Sequence, residues 1–165
     1  MRIRTTSIIV GVVALAGSVA GSATALPAFT TSPKTRTVSA TTPQATLTRV
    51  TVGRQATFDR IVFRFTGSTP GYRVKYVPQV IQDGSGLPVT LLGSRFLQIR
   101  FEPTVNGSSA NAPATITPLF PTLRQIKRAG DFEGVINFGA GLSKRAGFRL
   151  FTLTSPRRIV LDVAH

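Results

Sequence analysis

Phe58-Asp59-Arg60-Ile61-Val62-Phe63-Arg64-Phe65 decides how this chain folds. Ile61, Phe63 and Phe65 share one phase of a two-residue alternation, and Arg60, Val62 and Arg64 share the other. Successive side chains of a strand point to opposite faces, so this stretch buries one face and wets the other.

The same rhythm recurs outward in both directions. Leu47–Val52 alternates and stops at Gly53; Tyr72, Val74 and Tyr76 oppose Arg73 and Lys75 until Pro78 closes the run. Residues 67–71, with Pro70, and Asp83-Gly84-Ser85-Gly86 are turn clusters. Residues 89–92 and 96–101 read as further strands, the latter with Leu97, Ile99 and Phe101 opposing Gln98 and Arg100. Residues 103–113 read as a loop rich in Asn, Gly, Ser and Ala, and residues 142–145 as the one helical turn. Four more strands are expected over 122–129, 132–138, 149–153 and 158–163, with a turn at Gly130. Many short strands punctuated by Gly and Pro predict an all-β fold, a single antiparallel β-sandwich domain over residues 46–165. Eleven phenylalanines, with Val, Ile and Leu on the inward phases, supply its core.

The chain before this domain reads differently. Arg2 and Arg4 precede an apolar run from Ile8 to Val19, and Ala23-Thr24-Ala25 offers small residues at the positions a signal peptidase accepts. Residues 1–25 are therefore expected to be a secretory signal peptide. The run is shorter than the about 20 apolar residues of a spanning helix. Cleavage thus leaves no stable membrane span, and an uncleaved anchor is the alternative. Residues 26–45 carry Pro27, Pro33 and Pro43 among many Thr and Ser. Such composition lacks the apolar surface that offsets ordering entropy and is expected to form a disordered linker. No cysteine is present, which excludes disulfides, thiolate metal sites and lipoprotein anchoring.

The net charge is +14, set by 20 Lys and Arg against six acids. A surface of this sign attracts polyanions. Nucleic acid suits the charge but not the export signal. An acidic cell-wall polymer, or an acidic envelope protein met through a protein–protein surface, suits both. Arg60, Arg64, Arg73, Lys75 and Arg100 form one cationic stripe if their strands are neighbours, and arginine's planar fork binds two oxygens of a phosphate or carboxylate at once. The plainer reading is a solvated strand face.

Catalytic chemistry is poorly supplied. His165 is the only histidine and ends the chain, whereas a Ser-His-Asp relay needs a histidine pinned by its surroundings. Neither a histidine zinc site nor a cysteine nucleophile can be built, and no metal or other cofactor is expected. Asp131 and Glu133, two apart, would share a strand face and could run acid–base chemistry on a sugar. A cross-strand salt bridge to Arg124, Lys127 or Arg128 over the turn at Gly130 is the stronger expectation. Asp162, in Arg158-Ile159-Val160-Leu161-Asp162-Val163, shares a phase with Arg158 and Val160, and a bridge to an arginine is its default role.

Four blocks taken together carry a resemblance. TRVTVGRQATFDRIVFRFTGSTPGYRVKYV (Thr48–Val77), DGSGLPVTLLGSRFLQIRF (Asp83–Phe101), GDFEGVINFGAGL (Gly130–Leu142) and FRLFTLTSPRRIVLDVAH (Phe148–His165) resemble, in order, the AMIN-like domain of actinobacterial exported proteins. The resemblance implies a β-sandwich related to the AMIN domains that accompany cell-wall amidases and pilus secretins. Those domains localise their proteins to peptidoglycan or the division site and are not themselves catalytic. It brings no set of binding residues with it. The expectation is a secreted, non-enzymatic envelope module that binds peptidoglycan or an acidic wall polymer through its basic strand faces.

Overall fold

The computed structural model describes residues 25–107 and 113–165. Residues 1–24 of the expected signal peptide lie outside them. Eleven strands follow one another: β1 (Lys34–Arg36), β2 (Ala45–Arg54), β3 (Phe58–Thr66), β4 (Gly71–Val77), β5 (Arg95–Glu102), β6 (Thr104–Asn106), β7 (Thr115–Ile116), β8 (Leu123–Phe132), β9 (Val135–Leu142), β10 (Phe148–Thr154) and β11 (Arg157–Ala164). They build a six-stranded sheet, β1-β4-β5-β9-β8-β7, and a five-stranded sheet, β10-β11-β3-β2-β6. The two pack face to face into an all-β sandwich.

Alternation explains the packing. Ile61, Phe63 and Phe65 of β3 are fully or almost fully buried, as are Leu97, Ile99 and Phe101 of β5 and Ile136 and Phe138 of β9. The Phe63 ring meets Phe101 at 4.7 Å and Phe138 at 5.3 Å between centroids, and Phe65 meets Phe101 at 5.3 Å. These contacts run from one sheet to the other, and each such ring withdrawn from water contributes about 1.5–3 kcal/mol.

Strand β9 is buried along its whole length. Its inward phase joins the core, and its outward phase is covered by residues 78–94, where Val80 and Leu91 lie over Gly139 and form a small second cluster with Ala129. The other half of that outer face, β4 and β5 at the β1 side, stays uncovered.

Several expectations are corrected. Residues 26–45 do not form a disordered linker: β1 pairs with β4, Thr30 and Phe148 exchange backbone hydrogen bonds of 3.2 and 2.9 Å, and Phe29 lies 6.0 Å from the Phe58 ring. Composition counts too little apolar surface for order, yet the open edge of β4 supplies hydrogen-bond partners and one phenylalanine supplies an anchor. The loop over 103–113 contains β6, which pairs with β2 in parallel, so the sandwich is mostly rather than wholly antiparallel. Residues 89–92 form no strand, and residues 142–145 form no helical turn. The turn expected at Gly130 falls at Glu133-Gly134, whose φ values of 50° and 77° suit the two-residue hairpin turn between β8 and β9. Gly130 instead sits in β8 beside a register shift.

Two polar groups in this apolar frame are buried and satisfied. Asp162, fully buried on β11, accepts from Arg60 Nε at 2.6 Å, Arg60 Nη2 at 2.9 Å and Arg149 Nε at 3.0 Å. The Asp162 hydrogen bond raises the Arg60 pKa, against the opposing pull of burial. Asp59, also fully buried, accepts from the amides of Thr122 and Leu123 at 2.8 Å each and meets His165 Nε2 at 2.9 Å. The chain end is thereby tied down rather than frayed.

Asp162→Ala leaves two arginines without their carboxylate. Because both can partly rehydrate at the surface, the expected loss is about 2–3 kcal/mol, below that for a fully buried pair. A urea denaturation midpoint that does not move would contradict this account.

The Tyr76 hydroxyl donates to the Ala146 carbonyl at 2.6 Å and accepts from its amide at 2.9 Å, and burial raises its pKa. A raised folded-state pKa stabilises the fold below the unfolded tyrosine's value of about 10, and that contribution is lost as pH rises through the folded value. Urea midpoints are expected to fall on the alkaline side of pH 10, and Tyr76→Phe is expected to lessen that fall.

Candidate functional site

The uncovered half of the six-stranded sheet carries an open groove of about 750 Å³. Its floor is set by strand register. Arg73 of β4 stands opposite Arg100 of β5, and Lys75 opposite Gln98. All belong to the outward phase, since Tyr72, Val74 and Tyr76 of β4 take the inward one. One wall is the segment that follows β1, from Thr37 to Ala40, and Arg36 joins it.

Close approach of that segment depends on Gly71. A Cβ there would meet the Arg36 carbonyl oxygen at 2.8 Å and the Glu102 carbonyl oxygen at 3.0 Å, closer than a methyl group tolerates. With no side chain at position 71, β1 lies against β4, Arg36 Nη1 donates to the Pro70 carbonyl at 3.2 Å, and the Tyr72 ring is half-covered. Burial raises the Tyr72 pKa, and the nearby Arg36 charge counters part of that rise.

The groove is electropositive but unevenly compensated. Arg100 Nη2 lies 3.2 Å from Glu102, and Arg100 Nη1 lies 3.9 Å from Asp83, which in turn accepts from the Asn137 amide. Among the described residues, neither Arg73 nor Lys75 makes an ion pair or a side-chain hydrogen bond. Two like charges directly across a strand pair, Arg73 and Arg100, repel one another. Such an arrangement favours an arriving anion with more than one oxygen.

Of the five cations proposed as one stripe, the fold brings three together and separates two. Arg73, Lys75 and Arg100 line the groove. Arg60 and Arg64 stand on β3, in the other sheet, and point away from its opposite face. Arg60 is occupied by Asp162 and lies over the Phe58 and Phe151 rings at 5.1 and 5.5 Å. The single stripe is therefore corrected: local alternation sets which way each cation points, but strands distant in sequence decide which sheet it joins. Arg36 was not among the five; its only sequence signal is a cation next to Thr residues in a segment whose composition hides its pairing.

The carboxylates also separate. Asp131 lies at the exposed end of β8 and Glu133 in the hairpin turn, and among the described residues neither forms an ion pair. Arg124, Lys127 and Arg128 share β8 with Asp131 instead of facing it across a turn, so the expected cross-strand bridge has no geometry to form. Asp162 holds the arginine pair described above. Among the described residues, no group of three or more His, Asp or Glu side chains is placed to hold a metal ion. No helix among them is long and apolar enough to cross a membrane.

The family model described as AMIN-like domain matches residues 45–165. No curated protein and no solved structure matches the chain. The match begins at the first residue of β2, so the groove's floor lies within it and the wall from Arg36 to Ala40 lies outside it.

Gly71→Val is expected to push β1 off β4. The cost should be about 1–3 kcal/mol, as for other overpacked positions. Trypsin should then cut after Lys34 and Arg36 several-fold faster than in the parent protein. Equal cleavage rates would show that the segment is held by something other than this close approach.

Proposed function

The chain belongs to the AMIN-like domain family, and on that premise we propose that it is an exported, non-enzymatic cell-envelope module that holds an acidic wall polymer in the groove between β1, β4 and β5. The observation that carries this reading is the pair Arg73 and Lys75, outward-facing and without ion-pair partners among the described residues, beside Arg36 and Arg100.

The chemistry supports a polymer more than a small metabolite. The groove is open to solvent rather than enclosed, with four cations against the two carboxylates that approach Arg100. An extended chain with a phosphate or carboxylate in each repeat can pair successive oxyanions with successive strand positions. Arginine forks hold two oxygens each, and Lys75 acts as a point charge. The excess of Lys and Arg over acids, which remains large once Arg2 and Arg4 leave with the leader, draws such a polymer from a distance, and rising salt screens this attraction. The leader expected at residues 1–25 supports delivery to the envelope, and the lack of cysteine leaves the exported protein free of a lipid anchor.

Purified protein mixed with isolated cell walls should sediment with them at low ionic strength and be released at high salt. Arg73→Gln with Lys75→Gln should reduce the bound fraction roughly tenfold, since each partly exposed charge contact contributes about 0.2–1 kcal/mol. Sedimentation of this variant equal to the parent's at every salt concentration would remove the groove from the mechanism.

A further inference from the structure

The opposite face of the sandwich carries a second uncompensated set of cations. Arg158 of β11 stands opposite Arg64 of β3, and Arg64 stands opposite Arg49 of β2. Three arginines thus form one row across three adjacent strands, with a strand spacing of about 4.8 Å. Arg49 and Arg64 are exposed and Arg158 is half-exposed. Among the described residues none of the three makes an ion pair, and Arg158 makes a single 3.3 Å hydrogen bond to the Pro156 carbonyl.

This row is a product of local backbone geometry. The pairing of β2 with β3 shifts between Leu47 and Arg49. Regular pairing after Leu47↔Phe65 would set Thr48 opposite Arg64; the bulge sets Arg49 there instead, and Thr48 Oγ1 donates to the Arg64 carbonyl at 3.2 Å. The bulge also restores Val50 to the core opposite Phe63.

Two rows along the same face, the contrast is plain. Arg149 and Arg60 flank Asp162 there, and the carboxylate neutralises both. Between the rows lie Phe151, Val160 and Val62, in register with one another. The face therefore compensates arginines where they are buried and leaves like charges directly opposed where they are open, an arrangement that destabilises the sheet until an anion arrives.

We propose that Arg49, Arg64 and Arg158 form a second polyanion site, and that the domain grips acidic polymer on both faces and so cross-links polymer chains. The cross-linking part rests on the groove reading given above. The two sites point in opposite directions, because the Phe63, Phe101 and Phe138 rings lie between the sheets that carry them. A segment seated in the groove cannot also lie along the arginine row, so a second segment or a second chain occupies it. Long polymer is then joined into a network by mass action between two sites on one rigid body.

The test mixes purified protein with long-chain polyphosphate or poly-glutamate and follows turbidity, while fluorescence anisotropy follows binding of labelled tripolyphosphate. Clouding is expected at intermediate ratios and clearing in excess protein; the polymer that clouds at the higher salt identifies phosphate or carboxylate as the preferred group. The variant Arg49→Gln, Arg64→Gln, Arg158→Gln is expected to keep tripolyphosphate binding within about threefold, as for a site it does not touch, and to lose clouding. Its urea midpoint should stay level or rise, since like charges have been removed. Clouding equal to the parent's, or an equal loss of clouding in the charge-matched variant Arg54→Gln, Arg95→Gln, Lys144→Gln, overturns the proposal. Arg73→Gln with Lys75→Gln is expected to lose clouding too. If it instead retains both clouding and binding while the arginine-row variant loses both, the groove reading fails, and with it cross-linking through the groove, while the row stands as an anion site.

Discussion

The packing of Phe63 against Phe101 and Phe138 constrains everything else in this structure. A ring from β3 fills the space between rings from β5 and β9, and this ties the inward phase of each strand to the core. Once that phase is set, the period of two fixes the rest of each strand except where a bulge resets it, as at Thr48. Arg64 must leave one sheet outward, and Arg73 and Arg100 must leave the other outward. A chain with this many cations and one apolar core thus separates its charge into two opposed surfaces. The same packing explains why so basic a protein folds at all: repulsion acts between groups held on opposite sides of the core or spread along wet faces.

The buried carboxylates show how tightly that rule is kept. Asp162 sits on the outward phase of β11 yet is fully buried: Arg60 and Arg149 bind it from either side, and their guanidiniums in turn lie over the rings of Phe58, Phe151 and Phe29. Arg149 lies 4.3 Å from the Phe29 ring centroid, so the ion pair also anchors the segment that leads into β1. Asp59 works one register step away on the neighbouring strand β3, accepting from the amides of Thr122 and Leu123 at the start of β8 and meeting the terminal His165. Each carboxylate joins parts of the chain more than one hundred residues apart. A carboxylate with only water for company would gain nothing from burial; these two are buried because several donors converge on each.

The strands themselves were legible because alternation is local. Phe58–Phe65, Tyr72–Val77 and Phe96–Phe101 carry the phase that the structure displays. Sheet membership was not legible, since Arg60 and Arg73 have equivalent local patterns and differ only in what their strands pair with. Leu47 and Val50 mark the bulge at Thr48 in hindsight: two core residues three apart in a strand require one extra residue. The N-terminal segment was hidden for another reason. Its order comes from β4's edge and from Phe29, neither of which average composition weighs. At the β8–β9 hairpin a glycine drew attention to position 130, while the turn formed at Glu133-Gly134, where a non-glycine residue adopts a φ of 50°.

The boundary of the family match carries a last consequence. The sandwich, with Arg73, Lys75 and Arg100 on one face and Arg49, Arg64 and Arg158 on the other, lies inside residues 45–165. The segment from Thr30 to Ala40 lies outside, yet it completes the six-stranded sheet at β1, walls the groove and adds Arg36. Without it the outer face of β4 and β5 would be a flat cationic strip with an open strand edge, free to pair with any extended backbone. With it the edge is occupied and the strip becomes a groove with a direction. The shared sandwich thus supplies charge, and the preceding segment supplies shape. Under the polymer-binding function proposed above, selectivity for one acidic polymer over another would rest on residues 30–40 at least as much as on the arginines themselves, because charge alone attracts every polyanion and only a wall excludes some of them.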